Sequence, residues 1–256
     1  MRVIVTRPAA QAEAWVQGLR ATGLEACALP LIEIAAAPEA QPIRQAWARL
    51  AGCALVMFVS AHAVEHFFAQ RPGSAGGWPP DTLAGCTGPG TGATLRAAGV
   101  PAGCVVEPPA GAQADSEGLW QALRHHGWAG RQVLVVRGEH GRDWLAETLT
   151  QAGATVRFLS AYARRVPQPG AAGRALLAEA LDLPQHHAWV FSSGEAVGHL
   201  AQLAPGAAWG ASRAVATHPR IAAAVRHAGF GRVEEAQGAR LPAVCEALAR
   251  LESQPL

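Results

Sequence analysis

Short, uninterrupted apolar runs recur along the chain, each followed by a turn of small and polar residues. They are VIV at 3–5, LVMFV at 55–59, VLVV at 133–136 and AWVF at 188–191. Apolar residues in such numbers without alternation suit a strand covered on both faces, as in a parallel sheet. After each turn comes an Ala/Leu-rich stretch with helical spacing, as at Trp15 and Leu19 and again at Leu145 and Leu149. Gly23, Gly99, Gly153 and Gly229 stand where such helices end, a position that favours a left-handed residue. Strand, turn and helix repeated in this order predict an α/β fold with parallel sheets.

The chain also repeats itself once. RVIVTRPAAQAEAWVQGLRATGLEACALPLIEI near the start is matched by VLVVRGEHGRDWLAETLTQAGATVRFLSAYARR, which sets Arg7 on Arg137 and Gly23 on Gly153. ALVMFVSAHAVEHF and AWVFSSGEAVGHL form a second pair, with Ser60 on Ser193, Val64 on Val197 and His66 on His199. GCTGPGTGATLRAAGV and AVATHPRIAAAVRHAGF form a third, with Pro89 on Pro219 and Gly99 on Gly229. Two copies of roughly 125 residues predict two similar lobes, with ligand in the cleft that the carboxyl ends of the strands face.

The turns at those strand ends carry Thr6-Arg7-Pro8, Ser60-Ala61-His62, Thr87-Gly88-Pro89-Gly90-Thr91, Arg137-Gly138-Glu139, Ser192-Ser193-Gly194 and Thr217-His218-Pro219. A hydroxyl at a strand-to-helix turn is first of all a helix cap. Its recurrence in both copies adds an anion-binding reading, because a helix N-terminus presents free N–H groups and a partial positive charge.

Composition narrows the chemistry. All 21 basic side chains are Arg; the chain has no Lys and no Asn, and its one Tyr is Tyr162. Without Lys there is no Schiff base, no pyridoxal phosphate anchor and no P-loop. An anionic ligand is held by the planar fork of Arg or by backbone N–H groups. The net charge is +2, too small to point to nucleic acid or an acidic membrane. Cys27, Cys53, Cys86, Cys104 and Cys245 are odd in number and never form a CxxC pair, which reads as reduced thiols in the cytoplasm. Pro8 and Glu13 interrupt any signal-peptide-like stretch, and no window reaches the ~20 apolar residues of a membrane helix. His125-His126 and His186-His187 lack ligand spacing, so no metal is expected. GPGTG at 88–92 lacks the spacing of a dinucleotide fingerprint.

TRP after the first strand, LPLIEI, FVSAHAV, GPGT, DSEGL, VLVVRGEHGRDWL, AYARR and VFSSGEAV, in this order over essentially the whole chain, together resemble the uroporphyrinogen-III synthase family. The resemblance implies two α/β lobes joined by a two-stranded antiparallel connection. LPLIEIAAAP (29–38) and RFLSAYARRVP (157–167) would be the connecting strands, one lobe holding 1–35 plus 168–256 and the other 38–160.

It also implies a cofactor-free lyase of tetrapyrrole biosynthesis that closes hydroxymethylbilane to uroporphyrinogen III with loss of water and inversion of ring D. Such a protein must help a hydroxyl leave and fold a flexible substrate with eight carboxylates. Tyr162 matches the family's tyrosine and would assist the leaving hydroxyl, directly or through a water; on its position alone it reads as a packed strand residue. The resemblance makes Arg7, Ser60, Thr91, Ser116, Arg137, Gly138, Ser193 and Thr217 substrate-binding, with Gly138 letting backbone approach the ligand. Arg7 and Arg137 could instead cap loops or pair with Glu33 or Glu139. The chain departs from the family at His62, where Asn is common, and at Thr217 to Ile221, where a Gly-Pro-Thr-Thr pattern is usual. The expected protein is a cytoplasmic monomer with a small-molecule substrate and neither a nucleic-acid nor a membrane partner. The alternative is a two-lobed module that binds a small anion without chemistry.

Overall fold

The protein, seen as a computed structural model, is described over residues 1–139 and 142–253. His140 and Gly141 of the VLVVRGEHGRDWL motif lie outside the described residues. Its elements in chain order are β1 (Arg2–Val5), α1 (Ala9–Ala21), β2 (Glu25–Ala28), β3 (Glu33–Ala36), α2 (Gln41–Ala48), β4 (Leu55–Phe58), α3 (Ala61–Ala69) and β5 (Leu83–Cys86). There follow α4 (Pro89–Ala97), β6 (Val105–Val106), α5 (Ser116–Leu123), β7 (Gln132–Gly138), α6 (Trp144–Gln151) and β8 (Thr155–Arg165). The last are α7 (Ala171–Asp182), β9 (His187–Phe191), α8 (Gly194–Leu203), β10 (Arg213–Ala216), α9 (Pro219–His227), β11 (Arg232–Glu235) and α10 (Leu241–Ser253).

The chain divides into two compact units, Met1–Glu33 with Arg165–Leu256, and Ile34–Arg164. The first unit has a five-stranded sheet in the order β11-β10-β9-β1-β2. The second has six strands in the order β3-β8-β7-β4-β5-β6. Read from its far end, β6-β5-β4-β7-β8 is the first sheet over again, strand for strand, and β3 is added at the edge. The internal repeat is thus one sheet order written twice, with parallel pairing through both copies.

Local rules explain the elements. β4 and β9 are buried at every position, which is why their sequences do not alternate. Pro89 and Pro219 open α4 and α9, where the missing N–H is no loss and the ring presets φ. Gly23, Gly99, Gly153 and Gly229 follow the ends of α1, α4, α6 and α9 with φ of 88°, 91°, 94° and 94°.

Each sheet is covered by aromatic packing. In the first unit Trp209 stacks on Phe230 at 5.0 Å and meets Trp189 edge-on at 5.7 Å. In the second, Trp47 stacks on Phe67 at 4.7 Å, and its indole N–H donates to the Phe67 carbonyl at 2.9 Å. The buried indole N–H of Trp47 thus has the partner that a buried Trp usually finds.

A Cβ added at Gly229 meets nothing within 4 Å, so Gly229→Ala isolates the cost of the left-handed turn. The variant should lose about 1–2 kcal/mol in urea unfolding, and an unchanged midpoint would show that the turn does not need φ near 94°.

Candidate active site

The second unit gathers its polar groups around Tyr162. β7 and β8 pair residue for residue up to Arg137 with Ser160, and the next partner of Gly138 is Tyr162. Ala161 is the extra residue of a bulge. Without it Tyr162 would lie on the face opposite Leu159 and Ala161; with it, all three join one core cluster. Bulges re-aim side chains in this way. Tyr162 is 2% exposed.

Gly138 makes room for it. A Cβ there would lie 2.9 Å from Cε2 and 3.0 Å from Cζ of Tyr162. The space expected for a ligand beside Gly138 is therefore filled by the phenol ring.

Ser60 fixes the other end of the ring. Its Oγ accepts the Ala63 N–H at 3.2 Å, capping α3, and donates to the Tyr162 hydroxyl at 3.3 Å. A hydroxyl has one proton, so Ser60 spends it on the phenol oxygen. Among the described residues the phenol's own proton meets no acceptor.

One turn of α3 brings two imidazoles to the same ring. His66 stacks on Tyr162 with centroids 6.0 Å apart and 26° between planes, and His62 meets it edge-on at 6.1 Å. Nδ1 of His62 lies 3.1 Å from Oε2 of Glu65. Burial pushes the His66 imidazole below its ordinary value, the charge of His62 adds to this, and Glu65 works against it. Sequence reasoning noted His66 only for the repeat and His62 only as a departure. The signal in the sequence was their spacing of four, directly after a capping Ser.

Arg137 stacks over Phe158 at 4.0 Å and pairs with Asp143, not with Glu139. Asp143 sits at the cap position of α6 without capping it, since its carboxylate goes to Arg137. Thr91 is buried within the first turn of α4, whose cap position is Gly88. Ser116 is the first residue of α5, and the cap is Asp115, which accepts the Gly118 N–H at 2.8 Å.

In the first unit Arg7 lies over Trp15 at 4.1 Å and donates to Gln11 Oε1 at 3.3 Å and the Ala239 carbonyl at 3.4 Å, not to Glu33. Desolvation lowers its guanidinium from the ordinary value, which still leaves it charged near neutrality. Ser193 stands at the cap position of α8, but its hydroxyl makes no cap bond. Thr217 is buried and its N–H donates to the Phe191 carbonyl at 3.1 Å; the cap of α9 is His218, whose Nδ1 accepts the Arg220 N–H at 3.1 Å. Of the hydroxyls expected at these turns, only Ser60 caps through its side chain. His199, the repeat partner of His66, donates from Nδ1 to the Leu31 carbonyl at 2.6 Å.

Cys86 is buried at the end of β5, and desolvation, with Glu107 adding, pushes its thiol up to about 11. It therefore stays a thiol and not a nucleophile at neutral pH. Among the described residues no group of three or more His, Cys, Asp or Glu is placed to hold a metal ion, and no helix is long and apolar enough to cross a membrane.

Comparison with known proteins adds a family. Residues 13–246 match the family described as "Uroporphyrinogen-III synthase HemD". A uroporphyrinogen-III synthase of Salmonella typhimurium is 35% identical over 164 residues, which is 64% of this chain and 65% of that protein, a little under two thirds of its length. One of Escherichia coli is 31% identical over 208 residues, 80% of each chain. Among solved structures, a uroporphyrinogen-III synthetase from Helicobacter pylori has a TM-score of 0.59 at 15% identity, covering 98% of this chain and 100% of that one. A mutant uroporphyrinogen III synthase from the extreme thermophile Thermus thermophilus has 0.56 at 20% identity, with 100% of both chains covered. At such identities these two likenesses concern the α/β fold.

Two outcomes are expected from the geometry around Tyr162. Gly138→Ala should cost roughly 1–3 kcal/mol in chemical unfolding, because the ring must move; a neutral effect would mean that the ring is not fixed against Gly138. His66 gives a pH dependence. Its folded value lies below the ordinary 6.5, so on acidification the unfolded chain takes up the proton first. This contribution to stability is complete above that ordinary value and is lost as the pH falls through the folded one. Urea unfolding of His66→Gln at several pH values should give a shallower acid decline than the unchanged chain.

Proposed function

As the chain belongs to the uroporphyrinogen-III synthase family of haem biosynthesis, we propose that it acts as a lyase that closes hydroxymethylbilane to uroporphyrinogen III. Water is lost, the last pyrrole ring is inverted and no cofactor takes part. The observation that carries this reading is the Tyr162 hydroxyl. It receives a hydrogen bond from Ser60 at 3.3 Å while its own proton stays uncommitted among the described residues.

A phenol so placed is a proton donor. The hydroxymethyl oxygen of the substrate takes the proton, its C–O bond breaks with the electrons of the adjoining pyrrole, and water departs. The resulting azafulvene carbon is attacked by the substituted carbon of ring D, and the spiro product rearranges. Binding must therefore hold a flexible chain in the conformation that presents that carbon.

Each unit offers its own groups for substrate carboxylates: the N-termini of α3 and α4 with Arg137, Ser60, Thr91 and Ser116 in the second, and the N-termini of α8 and α9 with Arg7, Ser193 and Thr217 in the first. The Arg137 fork has five N–H donors and keeps some for a ligand while bound to Asp143. Gly138 contributes by seating Tyr162. The protein works as a cytoplasmic monomer, with neither a nucleic-acid nor a membrane partner.

The test supplies freshly prepared hydroxymethylbilane and resolves the uroporphyrin isomers after oxidation. Isomer III is expected, and isomer I alone, the spontaneous product, would overturn the reading. Tyr162→Phe should lower turnover by about 10-fold or more. Unchanged turnover would remove Tyr162 from the proton transfer.

A further inference from the structure

We propose that a cavity between α2 and β8 of the second unit is a second ligand site, apart from the one built around Tyr162, and that it takes a small carboxylate carried on a single apolar ring. Its volume is about 180 Å³, and it is lined by Leu134, Leu159, Cys53 and Ala46 together with Arg49, at the end of α2, and Arg157 on β8. Leu134 precedes Gly138 on β7 by four residues, about 13 Å along an extended strand. The cavity therefore lies toward the amino ends of the strands, whereas Ser60 and Gly138 stand at the carboxyl ends.

The floor is apolar and incompletely covered. Leu134, Leu159 and Cys53 belong to the core cluster that also holds Ile43 and Trp47 of α2. They keep 8%, 7% and 9% exposure, while Val136 and Ala161, the next residues along the same strand faces, fall to 0% and 1%. A core edge that faces a void forfeits the contacts that atoms in that void would make. An apolar cavity of about 150 Å³ suffices for a benzene ring. The space between α2 and β8 thus holds one ring and little more.

The rim supplies charge of one sign. Among the described residues no Asp or Glu lines the cavity, and neither Arg49 nor Arg157 pairs with an acid. By contrast Arg2, Arg96, Arg137, Arg142, Arg226 and Arg250 each have a carboxylate partner. Arg157 lies opposite Leu134 in register and shares a face of β8 with Leu159. Its charge is felt at the floor, where it opposes the rise that burial imposes on the Cys53 thiol.

A guanidinium fork matches a carboxylate with two parallel hydrogen bonds. A ring against Leu134 and Leu159 with its carboxylate at the two Arg meets both halves of the site. A bare anion would leave the floor uncovered, and an uncharged ring would leave the two charges unmet.

Benzoate is the probe. Added to the full chain labelled with 13C at the leucine methyl groups, it should shift the Leu134 and Leu159 signals by its ring current, saturating with a Kd on the order of 1 mM. Leu119 and Leu123, in the separate cluster around Val133 and Val135, should stay in place. Benzyl alcohol, similar in shape but uncharged, should bind about 10-fold more weakly, and so should benzoate to the Arg49→Gln, Arg157→Gln double variant. Both residues are exposed, and their exchange leaves the core intact. The double variant should form isomer III at an unchanged rate, since neither Arg is among the groups proposed for the substrate. Unmoved Leu134 and Leu159 signals, or equal binding of benzyl alcohol, would overturn the proposal. A turnover that falls together with benzoate affinity would make the cavity part of the substrate site and overturn it as a second one. If the unchanged chain makes only isomer I while the methyl shifts persist, the reading of the reaction fails and the site stands.

Discussion

The ring of Tyr162 occupies the space that a side chain at position 138 would fill, and the arrangement of the second unit's polar groups follows from that contact. A Cβ at Gly138 would come within 3.0 Å of the ring, closer than carbon atoms pack. The bulge at Ala161 then turns the phenol onto the core face, where Ser60 reaches its oxygen. Because Ser60 also caps α3, the orientation of the phenol and the start of that helix are fixed by one hydroxyl. The two imidazoles follow as a matter of helical phase, since residues 62 and 66 share the face that Ser60 anchors.

Much of the frame was legible in the sequence. The uninterrupted apolar runs at 3–5, 133–136 and 188–191, and the run at 55–59 as far as Phe58, are strands buried on both faces in parallel sheets. The four glycines end helices in the left-handed region. These features depend on the chain's nearest neighbours in sequence, and a pattern along the chain records them.

What was not legible depends on contacts between distant segments. Nothing near Gly138 in sequence says that residue 162 will fill its space, and a bulge leaves no periodic signal. Capping was misjudged for a related reason. A Thr or Ser in a strand-to-helix turn caps only if it stands at the one residue where the backbone enters the helix, and His218 holds that place beside Thr217. For Arg7 and Arg137 the aromatic partners Trp15 and Phe158 decide the position of the guanidinium more than any acid next to them in sequence.

The repeat shows how one frame accommodates different chemistry. His66 and His199 sit at corresponding turns of α3 and α8, yet His199 is tied to the Leu31 carbonyl while His66 lies against a phenol. A ring nitrogen committed to a backbone carbonyl keeps its proton and stabilises the loop it joins. A ring stacked on a phenol in a desolvated setting instead tunes the polarity around that oxygen. Sheet order is the same in both units because strand pairing and helix cover tolerate few alternatives. Side chains at the strand ends face no such restriction, so residues there can diverge without disturbing the sheet. Reactivity then follows from which end acquires an uncommitted proton. Among the described residues that is the end of β8 and the start of α3, where an otherwise ordinary Ser cap has been joined to the chain's single phenol.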